Sequence, residues 1–197
     1  PKWGRGVSNI ILSDKAPLYF NVGYVWEINS KFIYEHLHGS LISTIEDPSC
    51  NSLYLSSNKY TQTPRSISAH KLLYKAFNKI WITFYEVLVY GGSRNFEPSY
   101  YLPLLPLLPI QTYYGDLDND QIGLGVDYYS NNFDLYFILA IDEWSPSLTF
   151  EEAHKNWFIW QLGVNKESLF INNDNFRVEY IWSDYRVYKH RFEINDY

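Results

Sequence analysis

Apolar and polar side chains alternate with a period of two along most of the chain, the spacing that gives a β-strand two unlike faces. In residues 18–28 one face carries Leu18, Phe20, Val22, Tyr24, Trp26 and Ile28, and the other Tyr19, Asn21, Gly23, Val25 and Glu27. Residues 121–129 set Ile122, Leu124, Val126 and Tyr128 against Gly123, Gly125, Asp127 and Tyr129. Residues 133–142 set Phe133, Leu135, Phe137, Leu139 and Ile141 against Asp134, Tyr136, Ile138, Ala140 and Asp142. In residues 155–164, Phe158, Trp160, Leu162 and Val164 oppose Trp157, Ile159, Gln161 and Gly163. Residues 7–12, 32–43, 66–75, 79–90 and 176–182 read as further strands with less clean faces, which makes about nine in all. In 66–75, Lys71 and Lys75 share a face with Ile67, Ala69 and Leu73, so that face has no assignment from pattern alone.

The connections carry as much information as the strands. Tight turns rich in Asn and Ser are expected at 29–31, 76–78, 130–132 and 165–168. Long excursions lie between them, at about 44–65, 91–120 and 143–154. Short and long connections alternate strictly. In an antiparallel meander this puts every tight turn at one end and every long loop at the other, as in outer-membrane barrels with short periplasmic turns and long outer loops. Trp26, Tyr74, Trp81, Tyr128 and Phe133 all fall within a few residues of a tight turn, where an interfacial aromatic girdle would lie. The expected fold is therefore all-β: an antiparallel up-and-down transmembrane β-barrel, with Leu135, Phe137 and Leu139 facing hydrocarbon. Residues 1–197 are expected to be one partial barrel domain, truncated at both ends.

Composition agrees with a wet–apolar boundary. There are 19 Tyr, 12 Phe and 7 Trp, yet mean hydropathy is below zero, so many rings must sit where an apolar body and a polar tip are both satisfied. A sugar-binding surface would use the same side chains. The net charge of -6 is scattered and no Lys/Arg run occurs, which removes the electrostatic footprint of a nucleic-acid binder. Cys50 is the only cysteine, so no internal disulfide forms, and no stretch is long and apolar enough for a membrane-spanning helix. The Leu-Pro repeat at 102–109 has the period of polyproline II and suggests a stiff strap over the barrel mouth. Thr149-Phe150-Glu151-Glu152 is a capping-box sequence that could start a short helix.

Catalytic constellations are thin, and no enzyme activity, cofactor or metal is expected. Asp142 and Glu143 are adjacent, so in a strand they point to opposite faces. His36 and His38 share a strand face but have no further ligand at metal spacing; with His70 and Glu86, on neighbouring strands, they read as polar lumen residues. Asp116, Asp118 and Asp120 alternate like the start of a calcium loop, without the Gly and distal Glu of an EF-hand. The same acids stand beside Tyr100, Tyr101, Tyr113, Tyr114 and Trp144, which offer stacking faces for a sugar; those rings fit an interfacial girdle equally well.

An ordered series of phrases resembles the Wzi capsule-assembly family of outer-membrane barrels. It opens with Trp3-Gly4-Arg5-Gly6 and Ile10-Ile11-Leu12-Ser13-Asp14-Lys15-Ala16-Pro17. Tyr34-Glu35-His36-Leu37-His38-Gly39, Ala69-His70-Lys71 and Tyr85-Glu86-Val87-Leu88-Val89-Tyr90-Gly91-Gly92 follow. Asp118-Asn119-Asp120 and Ala140-Ile141-Asp142 continue it. The chain departs from the family at Tyr85, where Ser is usual, and at Tyr101-Leu102-Pro103-Leu104, which replaces a Tyr-Leu-Asn-Pro phrase. The resemblance implies a monomeric barrel in the bacterial outer membrane, embedded in its lipid. It further implies a lectin-like role in attaching or assembling capsular or extracellular polysaccharide, with no nucleic-acid partner. A porin-like channel for small polar solutes is the alternative.

Overall fold

The computed structural model describes residues 2–13, 20–47, 62–92, 94, 97–143, 151, 156–171 and 173–189. Among these described residues, eight strands pair strictly with their sequence neighbours, all antiparallel, in one up-and-down sheet. They are β1 (Phe20–Glu27), β2 (Phe32–Leu41), β3 (Arg65–Phe77), β4 (Ile80–Gly91), β5 (Asn119–Tyr129), β6 (Phe133–Glu143), β7 (Trp157–Glu167) and β8 (Asn175–Ser183). β1 and β8 are the edges, and the sheet is not closed. The helical content described is one 3-10 turn at Pro98–Tyr101 and one short helix, α1, at Leu107–Tyr113.

Registers place the outward side chains in long rows across the sheet. One row runs Trp26, Tyr34, Leu72, Phe84, Leu124, Leu139, Trp160, Trp182 from β1 to β8. The next runs Phe32, Tyr74, Ile82, Val126, Phe137, Leu162, Tyr180. A third, Ile80, Tyr128, Leu135, Val164, Val178, covers β4 to β8. None of these positions is charged. On β6 the outward residues from Phe133 to Ile141 cover about 27 Å at roughly 3.4 Å per residue. At a strand tilt of roughly 40° that is about 20 Å along the sheet's height, close to the apolar band of a membrane barrel.

Charge is on the other face. There Lys71 Nζ meets Glu35 Oε1 at 2.6 Å, and Arg5 Nε meets Asp127 Oδ1 at 2.9 Å. Tyr136 OH donates to Glu179 Oε1 at 2.6 Å. The tyrosine rings on this face lie over glycines: Tyr85 covers Gly123 and Gly125, and Tyr136 covers Gly163, where a Cβ would overlap the ring. A bare glycine lets the ring pack flat on the neighbouring backbone.

Residues 2–13 lie across this charged face. The expectation of a strand at 7–12 is corrected: Trp3 and Leu12 form an isolated bridge (N···O 3.0 and 3.1 Å), and between them Gly4, Gly6 and Asn9 take positive φ. Ile10, Ile11 and Leu12 are all buried, which period-two alternation cannot achieve. They join one core cluster that includes Leu37 of β2, Tyr85 of β4, Ile138 of β6 and Ile159 of β7. The cluster runs through β3 and β4 as well, so residues 2–13 pack along the charged face from β2 to β7.

The alternation of short and long connections holds, with local corrections. β3 runs on to Phe77 through a bulge, leaving a turn at Asn78 and Lys79. The turn expected at 165–168 lies at 168–174, because Asn165 and Lys166 still pair with Arg177 and Phe176. That turn is built on Asp174, whose carboxylate accepts the N–H groups of Leu169, Phe170 and Ile171 at 2.7, 2.8 and 3.2 Å. Asn29 does similar work at the first turn, accepting from Lys31 and Phe32. Trp81 does not join the outward aromatics; it stands on the charged face, its ring against Tyr129. Cys50 and the capping box, apart from Glu151, lie outside the described residues.

Candidate functional site

The connection from β4 to β5 folds back onto the outward face at the long-loop end. Leu88 and Tyr90 of β4 bury against Tyr100 and Leu107. Ser68 Oγ donates to the Tyr100 carbonyl at 2.7 Å, and the Leu104 N–H donates to Tyr34 OH at 3.1 Å. The Leu-Pro repeat is not a continuous polyproline strap over a mouth. Pro106 is the N-cap of α1, and Pro109 falls in the helix's first turn, where its missing N–H costs nothing. Pro106 cannot cap with its side chain, so Glu86 on β4 takes that role: its Oε1 accepts the Leu108 N–H at 3.0 Å.

His36, His38, His70 and Glu86 are brought together on one face of the sheet. His36, His70 and Glu86 share a row with Tyr24 and Ile122, and His38 pairs with Val22, so all four stand on the outward face beneath the folded-back segment. The segment covers them, which is how polar groups persist beside an apolar band. His70 Nδ1 lies 3.6 Å from Glu86 Oε2, His36 and His70 ring centroids are 5.0 Å apart, and His38 Nε2 is 2.8 Å from Tyr90 OH.

The expected ligand residues divide into a latch and an exposed set. Asp118 is fully buried; Arg94 donates to it through both terminal guanidinium nitrogens, and Tyr100 OH donates to it at 2.5 Å. Gln111 Nε2 donates to the Asp118 carbonyl at 2.6 Å and to Asp116 Oδ1 at 3.0 Å. Burial raises the Tyr100 phenol far above its ordinary pKa, and the Asp118 carboxylate adds to this, so the phenol stays protonated as a donor. Tyr100 and Asp118 thus hold the segment down and offer no free face, and Asp120 is buried beside them. Tyr101 stacks on His38 with centroids 3.9 Å apart, and Tyr114 OH donates to Glu97 Oε1 at 2.8 Å. Tyr113 is 85 % exposed and Asp116 is exposed. Trp144 lies outside the described residues.

Two cavities flank α1. One, of about 360 Å³, lies between Leu104, Pro106, Leu108 and Pro109 above and Tyr34, Leu72, Phe84 and His70 below. The other, of about 500 Å³, is lined by Phe84, Leu108, Gln111, Asp116, Asp118, Asp120, Ile141 and Asp142. Arg94, Gln111 and Phe84 were not anticipated; the lone Arg in a long acidic connection is the signal that could have marked the first. Among the described residues no three His, Cys, Asp or Glu side chains are grouped to hold a metal ion, and no helix is long and apolar enough to cross a membrane.

No protein-family model, curated protein or solved structure matches the chain.

Proposed function

We propose that this chain forms part of a bacterial outer-membrane β-barrel that holds capsular or extracellular polysaccharide at the cell surface as a lectin-like protein. The observation that carries the membrane reading is the uncharged outward band, set against a charged, ion-paired opposite face. A soluble barrel would reverse these faces. The polysaccharide role rests on the resemblance to the Wzi family and on Tyr113 and Asp116 at the long-loop end, where rings and carboxylates suit pyranose faces and hydroxyls. Residues 2–13, lying across the charged face, favour a filled interior over a porin-like pore.

The test uses the intact protein with Tyr113→Ala and Trp144→Ala combined. Heat-modifiable migration first establishes that the barrel is folded. Cells carrying the variant are expected to lose surface polysaccharide, and retention equal to wild type removes this surface as the binding site. In planar bilayers the wild-type protein is expected not to conduct; steady ion conductance would favour the pore.

A further inference from the structure

Asp118 and Asp120 lie two residues apart on one face, and the fold treats them very differently. Asp118 is neutralised by Arg94 and hydrogen-bonded by Tyr100. Asp120 is almost as buried, 8 % exposed, and neither of its carboxylate oxygens has a hydrogen-bond partner among the described residues. Asp118 and Asp142 line the same cavity, and Glu86 stands on the adjacent strand two residues from Leu88, the register partner of Asp120. Gln111 Oε1 is a second buried acceptor without a donor, since that amide's nitrogen is committed to Asp116 and Asp118. An unpaired carboxylate and an unpaired amide oxygen are both costly when buried. An ionisable residue buried beside an apolar band calls for a partner.

Both groups line the 500 Å³ cavity, whose other walls include Phe84, Leu108 and Ile141. Its size falls in the roughly 300–1,000 Å³ range of small-ligand pockets. What is missing is a donor-rich, positively charged occupant with an apolar face. We propose that this cavity is a subsite for an amine-bearing sugar unit of the polysaccharide. The ammonium donates to Asp120, a hydroxyl or amine N–H donates to Gln111 Oε1, and the apolar face of the pyranose lies on the half-exposed Phe84 ring. A bare metal ion fits less well, because it needs several clustered oxygen ligands and the described residues hold no such group of acidic or histidine side chains. The inference rests on the polysaccharide-binding reading and deepens it.

The test is calorimetric titration of the intact, detergent-folded protein with glucosamine oligomers and with the same oligomers N-acetylated. Acetylation removes the charge but adds an acetyl group, so glucose oligomers of the same linkage, with a hydroxyl where the amine stood, serve as a second uncharged comparison. The glucosamine oligomer is expected to bind at least tenfold more tightly than either uncharged one, and Asp120→Asn is expected to abolish that preference. The wild-type comparison stands even if Asp120→Asn does not fold. Equal affinity for the glucosamine oligomer and either uncharged one, or no binding of any, overturns the proposal. So does a preference that survives Asp120→Asn, or Asp120-dependent binding of calcium chloride alone. These outcomes judge the subsite only; polysaccharide retention by the Tyr113→Ala/Trp144→Ala cells judges the proposed function separately.

Discussion

Phe137 and Phe176 are 38 % and 40 % exposed on the same face, so water alone cannot tell them apart. Their positions along the strands differ. Phe137 sits in the middle row of the band, between Val126 and Leu162, whereas Phe176 pairs with Lys166 beside the 168–174 turn. Two rows separate them, about 13 Å along the strands, or about 10 Å of depth at the tilt of a membrane barrel. Arginine at mid-bilayer costs about 2–4 kcal/mol in such a barrel and about 0–1 near the interface. Phe137→Arg should therefore destabilise the protein by about 2–3 kcal/mol more than Phe176→Arg, roughly 30- to 150-fold in the folding equilibrium. In a soluble sheet, both are surface substitutions with effects near 0.5 kcal/mol. Reversible urea unfolding from lipid vesicles, followed by heat-modifiable migration, measures the difference. Two unfolding free energies that agree within about 0.5 kcal/mol would refute a lipid-facing band.

Other consequences are local. In a Cys50→Ser background, Tyr113→Cys should be labelled on intact cells by an impermeant thiol reagent and Lys31→Cys should not; the reverse pattern inverts the orientation. Asp118→Asn leaves the Arg94 charge without its buried partner and should cost about 3 kcal/mol, read as faster hydrogen exchange in 98–114 while β5 to β7 stay protected. Gly163→Ala pushes a methyl into the Tyr136 ring and should cost about 1–3 kcal/mol in the same urea assay; no loss would mean that the ring does not lie on the glycine. The backbone N–H of Phe170, with those of Ile171 and Leu169, holds the Asp174 carboxyl below its ordinary pKa. The turn's added stability is thus complete above the ordinary carboxylate range and is lost as pH falls through the lowered value. Exchange protection of the Phe170 amide should fall on acidification, and Asp174→Asn should remove the dependence; a pH-independent wild type contradicts this.

The regular part of the fold was legible where the two faces differ sharply. Residues 133–142, with Leu135, Phe137 and Leu139 against Asp134, Tyr136 and Asp142, became β6 almost to the residue. β3 resisted assignment because its inner face is mixed: Ile67 and Ala69 sit in the core cluster, while Lys71 bonds Glu35. Turn chemistry misled at 165–168, where Asn165 is still a strand residue and the organising carboxylate, Asp174, comes later. Residues 7–12 looked like a strand because Ile10 to Leu12 are apolar; they are buried by folding back on Trp3. The site was the least legible part. Alternation assigns faces within a strand but says nothing of a distant loop that folds down onto one of them. His36, His70 and Glu86 therefore read as interior, and Tyr100 and Asp118 as open to ligand, until the 92–118 connection is placed.

Two tryptophans on opposite faces test the lipid contact most directly. Trp160 lies in the outward apolar row between Leu139 and Trp182, and Trp81 lies on the charged face beneath Lys75, 5.3 Å from its ammonium. Variants of the intact protein that keep only one of them can be folded into vesicles whose acyl chains carry bromine, which quenches on contact. Trp160 emission should be strongly quenched and Trp81 emission left nearly unchanged. Equal quenching of the two, or none for Trp160, would contradict a membrane-facing band.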